Sequence, residues 1–339
     1  MSILTLSASP RLGQVTATES LNQSDRGKPD NLAHSSFKAC ALSNLDRLEA
    51  EAAHILLETA ATISPTALMF SGGKDSICLA HIIKKVFQEL SEERIPFKFI
   101  HYDSGDNFQE VLDFRDNLTT ALGVKPQVYN VLEAYSAGLI KTALDRQGNV
   151  RALVELINYS QKELGLAGLI GGGRRDEDAV RAKERIFSVR DQTGLWQPQN
   201  QRPELWDCFN SLLNTGEHLR IFPISNWTER NVWEYIAREQ IALPSIYYAH
   251  ERPVFKRNGT WMAYFSDSEL RPGEEGQIKT VRCRTVGDRR TTGFIESEAD
   301  QAWAVLSEIV DSKRSERAGR AEDQGANTGM ESRKAAGWF

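Results

Sequence analysis

Apolar positions fall into a repeating pattern from about residue 42 onward. Leu42, Leu45, Leu48, Ala52, Ile55, Leu56 and Ile63 recur at helical spacing and predict an amphipathic helix. Ser43 serves as its N-cap, with Asp46 three residues later. The period then changes. Thr66-Ala67-Leu68-Met69-Phe70 is a short apolar run that reads as a buried strand, and Ile77-Cys78-Leu79-Ala80-His81-Ile82-Ile83 returns to a helix. Phe97-Lys98-Phe99-Ile100-His101 predicts a second strand after Pro96. Val111, Leu112, Phe114, Leu118 and Leu122 predict a helix stopped by Gly123. Residues 127–131 read as a third strand, 150–164 as a helix, and 167–170 as a strand running into Gly171-Gly172-Gly173. Strands and helices alternating at these lengths imply an α/β fold with a doubly wound parallel sheet, its ligand lying beyond the carboxyl ends of the strands. Residues 1–40, rich in Ser, Thr, Asn, Gly and Pro without periodicity, read as a disordered leader. Residues 41–240 carry the alternation. From 241 to 339 it fades into Pro-, Gly- and Arg-rich sequence, which predicts a less regular C-terminal region suited to docking a partner.

Composition narrows the function classes. The net charge of −5 argues against broad nucleic-acid binding. No apolar run approaches a membrane span, and the short apolar stretch Ile3 to Leu6 lacks the preceding basic residue of a signal peptide. Cys40, Cys78, Cys208 and Cys283 form no Cys-x-x-Cys pair, which suits a reducing cytoplasm and argues against structural zinc. Cys78 falls on an apolar helix face as a core residue. The histidines show no ligand spacing, so no protein-bound metal is expected.

The chemistry concentrates at Ser71-Gly72-Gly73-Lys74-Asp75-Ser76, between a predicted strand and a predicted helix. Such a turn aims backbone N–H groups and a helix N-terminus at an anion, with Lys74 as a mobile cation and Ser71 and Ser76 as hydroxyl donors. It is not a Walker A loop, because Asp75 follows the lysine. The six residues resemble the PP-loop of ATP pyrophosphatases, which holds the β,γ-pyrophosphate of ATP. A second glycine loop, Gly171-Gly172-Gly173, opens onto Arg174, Arg175, Arg181, Lys183, Arg185 and Arg190. If residues 174–186 are helical, Arg174, Arg181 and Arg185 share one stripe that faces a polyanion. The interspersed Asp176, Glu177, Asp178 and Glu184 equally fit a salt-bridged, solvated face. His101 and Asp103 leave the second strand on the ligand side and are candidates for a nucleotide-pocket wall.

An ordered series of stretches identifies a family. Ser71 to Ser76, His101-Tyr102-Asp103-Ser104-Gly105, Gly171 through Glu177, Ser188-Val189-Arg190-Asp191, Asn200 to Trp206, Phe222 to Glu229 and Glu251-Arg252-Pro253-Val254 are similar to the small catalytic subunit of two-subunit sulfate adenylyltransferases, ATP sulfurylase subunit 2. That family belongs with the phosphoadenylylsulfate reductases to the adenine nucleotide α-hydrolase-like, PP-loop fold. The chain departs from it at Gly72, where Ile is frequent; at Leu153 and Val154, where Asp and then Lys-Thr are usual; and at Asp288-Arg289-Arg290, where many members have Cys, an aromatic residue and Pro.

The resemblance implies that ATP, carried in with Mg2+, and sulfate give adenosine 5′-phosphosulfate and pyrophosphate, with a larger GTPase subunit driving the uphill reaction. It implies that Ser71, Gly72, Gly73, Lys74, Asp75 and Ser76 hold the nucleotide with His101, Asp103, Gly171 and Gly172. Lys74, Arg174, Arg175, Arg181 and Arg185 are then the catalytic cations. A reductase would need a nucleophilic cysteine on its C-terminal tail, and no cysteine follows Cys283. A non-catalytic ATP-binding subunit that regulates the GTPase, and a PP-loop enzyme adenylating another acceptor, stay as alternatives.

Overall fold

The computed structural model describes residues 42–90, 94–144, 150–177 and 181–311. The leader expected over 1–40 and the last 28 residues of the predicted docking region, 312–339, lie outside them. Helix α1 (Asn44–Thr62) opens on a capping box: Ser43 Oγ accepts from the Asp46 N–H, and the Asp46 carboxylate accepts from the Ser43 N–H. Strand β1 (Thr66–Met69) is buried at every residue. Its two faces meet different layers. Leu68 joins a cluster with Ile77, Ile82 and Phe99, while Ala67 and Met69 meet Ile100, Ile157 and Leu169 on the other side. A strand covered on both faces reads as a continuous apolar run, which is why its signal is not alternating.

Helix α2 (Lys74–Ile83) runs into a π-helical segment, Lys84–Leu90. Then come β2 (Lys98–Asp103), α3 (Gln109–Ala121), β3 (Gln127–Asn130), α4 (Val131–Ser136), α5 (Val150–Glu163), β4 (Gly168–Ile170), β5 (Phe187–Arg190), β6 (His218–Ile221) and α6 (Glu229–Arg238). The sheet order is β3-β2-β1-β4-β6-β5, parallel except for β5, which pairs antiparallel with β6. The order reverses between β1 and β4. In an open α/β sheet the crevice at such a switch point is where a ligand binds, and the two glycine loops are what follow these two strands. Leu153 and Val154 are both buried, Leu153 among Val131, Ala134 and Leu156. This departure from the family is therefore a core position of α5, with an apolar residue in an apolar place.

The region expected to be less regular holds a closed antiparallel barrel: β7 (His250–Arg257), β8 (Thr260–Ala263), β9 (Gln277–Cys283) and β10 (Gly293–Glu296), followed by helix α7 (Ala302–Asp311). The strands escape a reading by period because much of their polar surface faces out; β7 buries only Val254 and Phe255. Val254, Ala263, Val281 and Phe294 belong to the same buried cluster as Leu68 and Ile221, so barrel and sheet share a core.

The loop between β9 and β10 reaches the ligand end of the sheet. Ser104 Oγ donates to Asp288 Oδ1 at 2.5 Å, the Arg289 N–H donates to the Asp106 carbonyl at 2.8 Å, and the Arg289 guanidinium lies 3.0 Å from Asp106 Oδ1. Asp288 and Arg289 thus latch the barrel to the loop after β2. Asp106 is nearly buried, and Asp106→Ala leaves Arg289 without this carboxylate. The substitution is expected to cost about 1–3 kcal/mol in urea unfolding; a loss under about 0.5 kcal/mol, the scale of ordinary surface changes, would show the latch to be idle.

Candidate active site

The first glycine loop is drawn tight by its own hydroxyls. Ser76 Oγ donates to the Gly73 carbonyl at 2.9 Å, Ser71 Oγ lies 3.2 Å from Ser76 Oγ, and the Gly73 N–H donates to Ser71 Oγ at 3.3 Å. Gly72 turns the chain with φ of +75°, and a Cβ there would stand 2.5 Å from Val111 Cγ1 of α3. The position needs glycine for both its angle and its contact. Gly73 caps α2 without a side-chain hydrogen bond, and the first N–H of the helix, that of Lys74, is donated instead to the Tyr247 phenol oxygen.

Lys74 is fully buried, not the mobile cation that the sequence predicts. Its Nζ lies 3.2 Å from Asp75 Oδ2, and Arg174 Nε donates to Asp75 Oδ1 at 2.8 Å. Arg174 is buried as well. One carboxylate thus joins the cation of the first loop to an arginine 99 residues away that follows the second. The backbones meet at the same place, since a Cβ on Gly172 would lie 2.9 Å from Asp75 Cβ. Gly171 is pinned by donating its N–H to the Ile221 carbonyl of β6 at 2.8 Å.

The arginines part company beyond this point. The helix expected over 174–186 does not form: residues 175–177 make a turn, Arg181–Lys183 make one 3-10 turn, and β5 begins at Phe187. Residues 178–180, including Asp178, lie outside the described residues. The loop is held by tertiary bonds instead, with the Arg174 N–H on Glu177 Oε1 at 3.0 Å and the Arg175 N–H on the Ser225 carbonyl at 2.9 Å. Arg181 also pairs with Glu177, at 3.2 Å. Arg174 and Arg181 come together in a small cavity with Gly173, Glu184, Phe222 and Ser225. Arg175 turns instead to Asn226 Oδ1, and Arg185 is exposed two residues before β5. Of the predicted stripe of Arg174, Arg181 and Arg185, two members remain.

His101 is buried beneath the loop, its Nδ1 2.9 Å from the Phe70 carbonyl. A carbonyl only accepts, so Nδ1 carries the proton, and burial holds the imidazole pKa below its ordinary value. The ring ties the end of β2 to the residue before Ser71. Asp103 organises its own loop, accepting from the Gly105 N–H at 2.8 Å and from Asn130 Nδ2 at 3.0 Å. Cys78 sits in the core, with its thiol pKa pushed up by burial. Glu177 and Ser225 lie within stretches that the sequence singles out, whereas Tyr247, whose phenol oxygen accepts the Lys74 N–H at 2.9 Å, carries no local signal and reaches the site only through the fold.

Comparison with known proteins gives a consistent picture. The profile of the phosphoadenosine phosphosulfate reductase domain family matches residues 65–294. Sulfate adenylyltransferase subunit 2 of Streptomyces lavendulae is 44% identical over 299 residues, covering 88% of this chain and 92% of that protein. The protein of the same name from Mycolicibacterium gilvum (strain PYR-GCK) is 45% identical over 311 residues, covering 91% and 99%. Among solved structures, phosphoadenylyl-sulfate reductase from Candida auris in a phosphate complex overlaps 60% of this chain and 91% of its own at 16% identity, with a TM-score of 0.40.

The approach of the two glycine loops has a direct test. Gly172→Ala forces its new methyl against the Asp75 backbone, 3.3 Å from the carbonyl carbon. Overpacking of this kind is expected to cost about 1–3 kcal/mol in denaturant unfolding, and an unchanged midpoint would show that the loops are free to separate.

Proposed function

The chain belongs to the sulfate adenylyltransferase subunit 2 family, and we propose how its residues move an adenylyl group from ATP to sulfate. The loop Ser71 to Ser76 holds the β,γ-pyrophosphate of ATP, brought in with its Mg2+, at the start of α2. This leaves the α-phosphorus at the switch point between β1 and β4, facing Gly171, Gly172 and the cations beyond them. A sulfate oxygen attacks that phosphorus in line, the bond to the β-phosphate oxygen breaks, and pyrophosphate departs with the electron pair. Adenosine 5′-phosphosulfate remains.

Sulfate is already a dianion at neutral pH, so no general base is required. The barrier is repulsion between anions and their alignment, which fixed cations lower more effectively than mobile ones. The observation that carries this reading is the bridge Lys74–Asp75–Arg174. Asp75 spends one oxygen on each cation, which makes its task orientation. Lys74 serves the departing pyrophosphate, and Arg174 with Arg181 serves sulfate and the α-phosphoryl oxygens. Arg175 and Arg185 stand outside this set. His101 and Asp103 shape the nucleotide wall through the loop after β2.

The product is a mixed anhydride that lies uphill of its substrates. The relatives' name, subunit 2, implies a second subunit. A GTPase suits that place because GTP hydrolysis supplies the missing driving force. The cysteine pattern suits a cytoplasmic setting.

Two experiments test the assignment. ATP labelled at the α-phosphorus, incubated with sulfate and the partner subunit, is expected to place its label in adenylylsulfate; label in ADP would refute cleavage between the α and β phosphorus. Lys74→Ala is expected to lower the rate of sulfate-dependent pyrophosphate release by about 100-fold or more, the scale of one lost electrostatic contact to a transition state. Near-normal turnover in a folded variant would remove Lys74 from the site.

A further inference from the structure

Tyr247 ends the short 3-10 turn Ser245–Tyr247, ahead of the first barrel strand, yet its hydroxyl lies in the first glycine loop. The phenol oxygen accepts the Lys74 N–H at 2.9 Å. That N–H is the first of α2 and belongs to the group of donors that a helix start offers to an anion. The phenol packs against Gly73, where a Cβ would stand at an ordinary contact distance of 3.5 Å from its oxygen. The ring is 1% exposed and lies edge-on to Trp233. Burial holds the phenol pKa well above its ordinary value, so the hydroxyl keeps its proton across the physiological range.

Among the described residues that proton has no hydrogen-bond acceptor. The bond from Lys74 occupies a lone pair, and among the described residues no acceptor lies within hydrogen-bond reach of the phenol. A buried donor left without an acceptor is costly, about 1–3 kcal/mol, and calls for a partner. Here the donor stands among backbone N–H groups and beside the Lys74 ammonium. The one acid of the loop, Asp75, is already ion-paired with Lys74 and Arg174. The hydroxyl accepts one donor of the cradle and has a donor of its own to offer in its place.

We propose that Tyr247 is a binding residue for the pyrophosphate end of ATP, donating its phenolic proton to a phosphate oxygen held at Ser71 to Ser76. The proposal rests on the assignment of that loop to the β,γ-phosphates. It adds a donor from the C-terminal part of the chain to a site otherwise built by the sheet, so that the nucleotide touches both.

The test uses Tyr247→Phe in the full-length chain, with magnesium pyrophosphate and AMP titrated separately by calorimetry and stability followed by denaturant unfolding. The phenyl edge still shields the Lys74 N–H, so the missing donor is not replaced. Pyrophosphate affinity is expected to fall about tenfold with AMP affinity within about twofold of the parent, while the Lys74 N–H, left without its acceptor, lowers the unfolding midpoint whichever role Tyr247 has. Equal pyrophosphate affinity in the two proteins would overturn the role of Tyr247 and leave the loop assignment standing. A parallel loss of pyrophosphate and AMP binding would overturn it in favour of a purely structural tyrosine. If the parent itself binds no pyrophosphate, the loop assignment fails first and the proposal fails with it.

Discussion

The ion-paired carboxylate of Asp75 is the constraint on which the site depends. It sits in the first turn of α2, where a negative charge complements the helix dipole, and it fixes two buried cations from opposite sides of the topological switch point. Removing one partner of a buried pair leaves the other charge uncompensated at a cost of several kcal/mol. The arrangement therefore holds the β1 and β4 loops at one separation, reinforced by Gly172 against the Asp75 backbone. Lys74 and Arg174 gain fixed positions in which they can act on anions without reorganising.

Around this centre the two parts of the chain are not independent. The barrel and the sheet share a buried cluster, and the segment leading into β7 sends Tyr247 to the start of α2. The β9–β10 loop grips Ser104 and Asp106 at the end of β2. The latch uses Asp288 and Arg289, through a hydrogen bond to Ser104 and an ion pair with Asp106. Such a contact ties the barrel to the carboxyl end of the sheet.

Legibility along the chain follows the range of the forces involved. The helix starting at Ser43, the strands near 66, 98, 127 and 168, and the glycine loop at Ser71 were readable because each rests on neighbours a few residues apart: a capping box, an apolar run, a turn that only glycine makes without strain. The family resemblance reinforced them through the order of its motifs. Strands β5 and β6 were missed for an equally physical reason. They bury Arg190, His218 and Arg220, with Arg190 paired to Glu184, and burial holds the Arg220 pKa down at about 9. Strands that bury charge do not look like strands, because the partner that makes the burial tolerable is not written beside them.

The basic segment after Gly173 marks the boundary between the two kinds of information. Its residue types announced an anion site, and its spacing suggested a helical stripe. Which arginines face inward was decided by Asp75, Glu177, Ser225 and Asn226, acting on a loop with little regular structure. The sequence by itself determined strands β1 to β4 of the sheet and the glycine turn between β1 and α2. Tertiary structure alone decided that Lys74 is buried, that Arg174 and Arg181 converge while Arg185 does not, and that Tyr247 joins them. Those outcomes depend on charges and hydrogen-bond partners up to 173 residues apart, and no local periodicity encodes a partner at that distance.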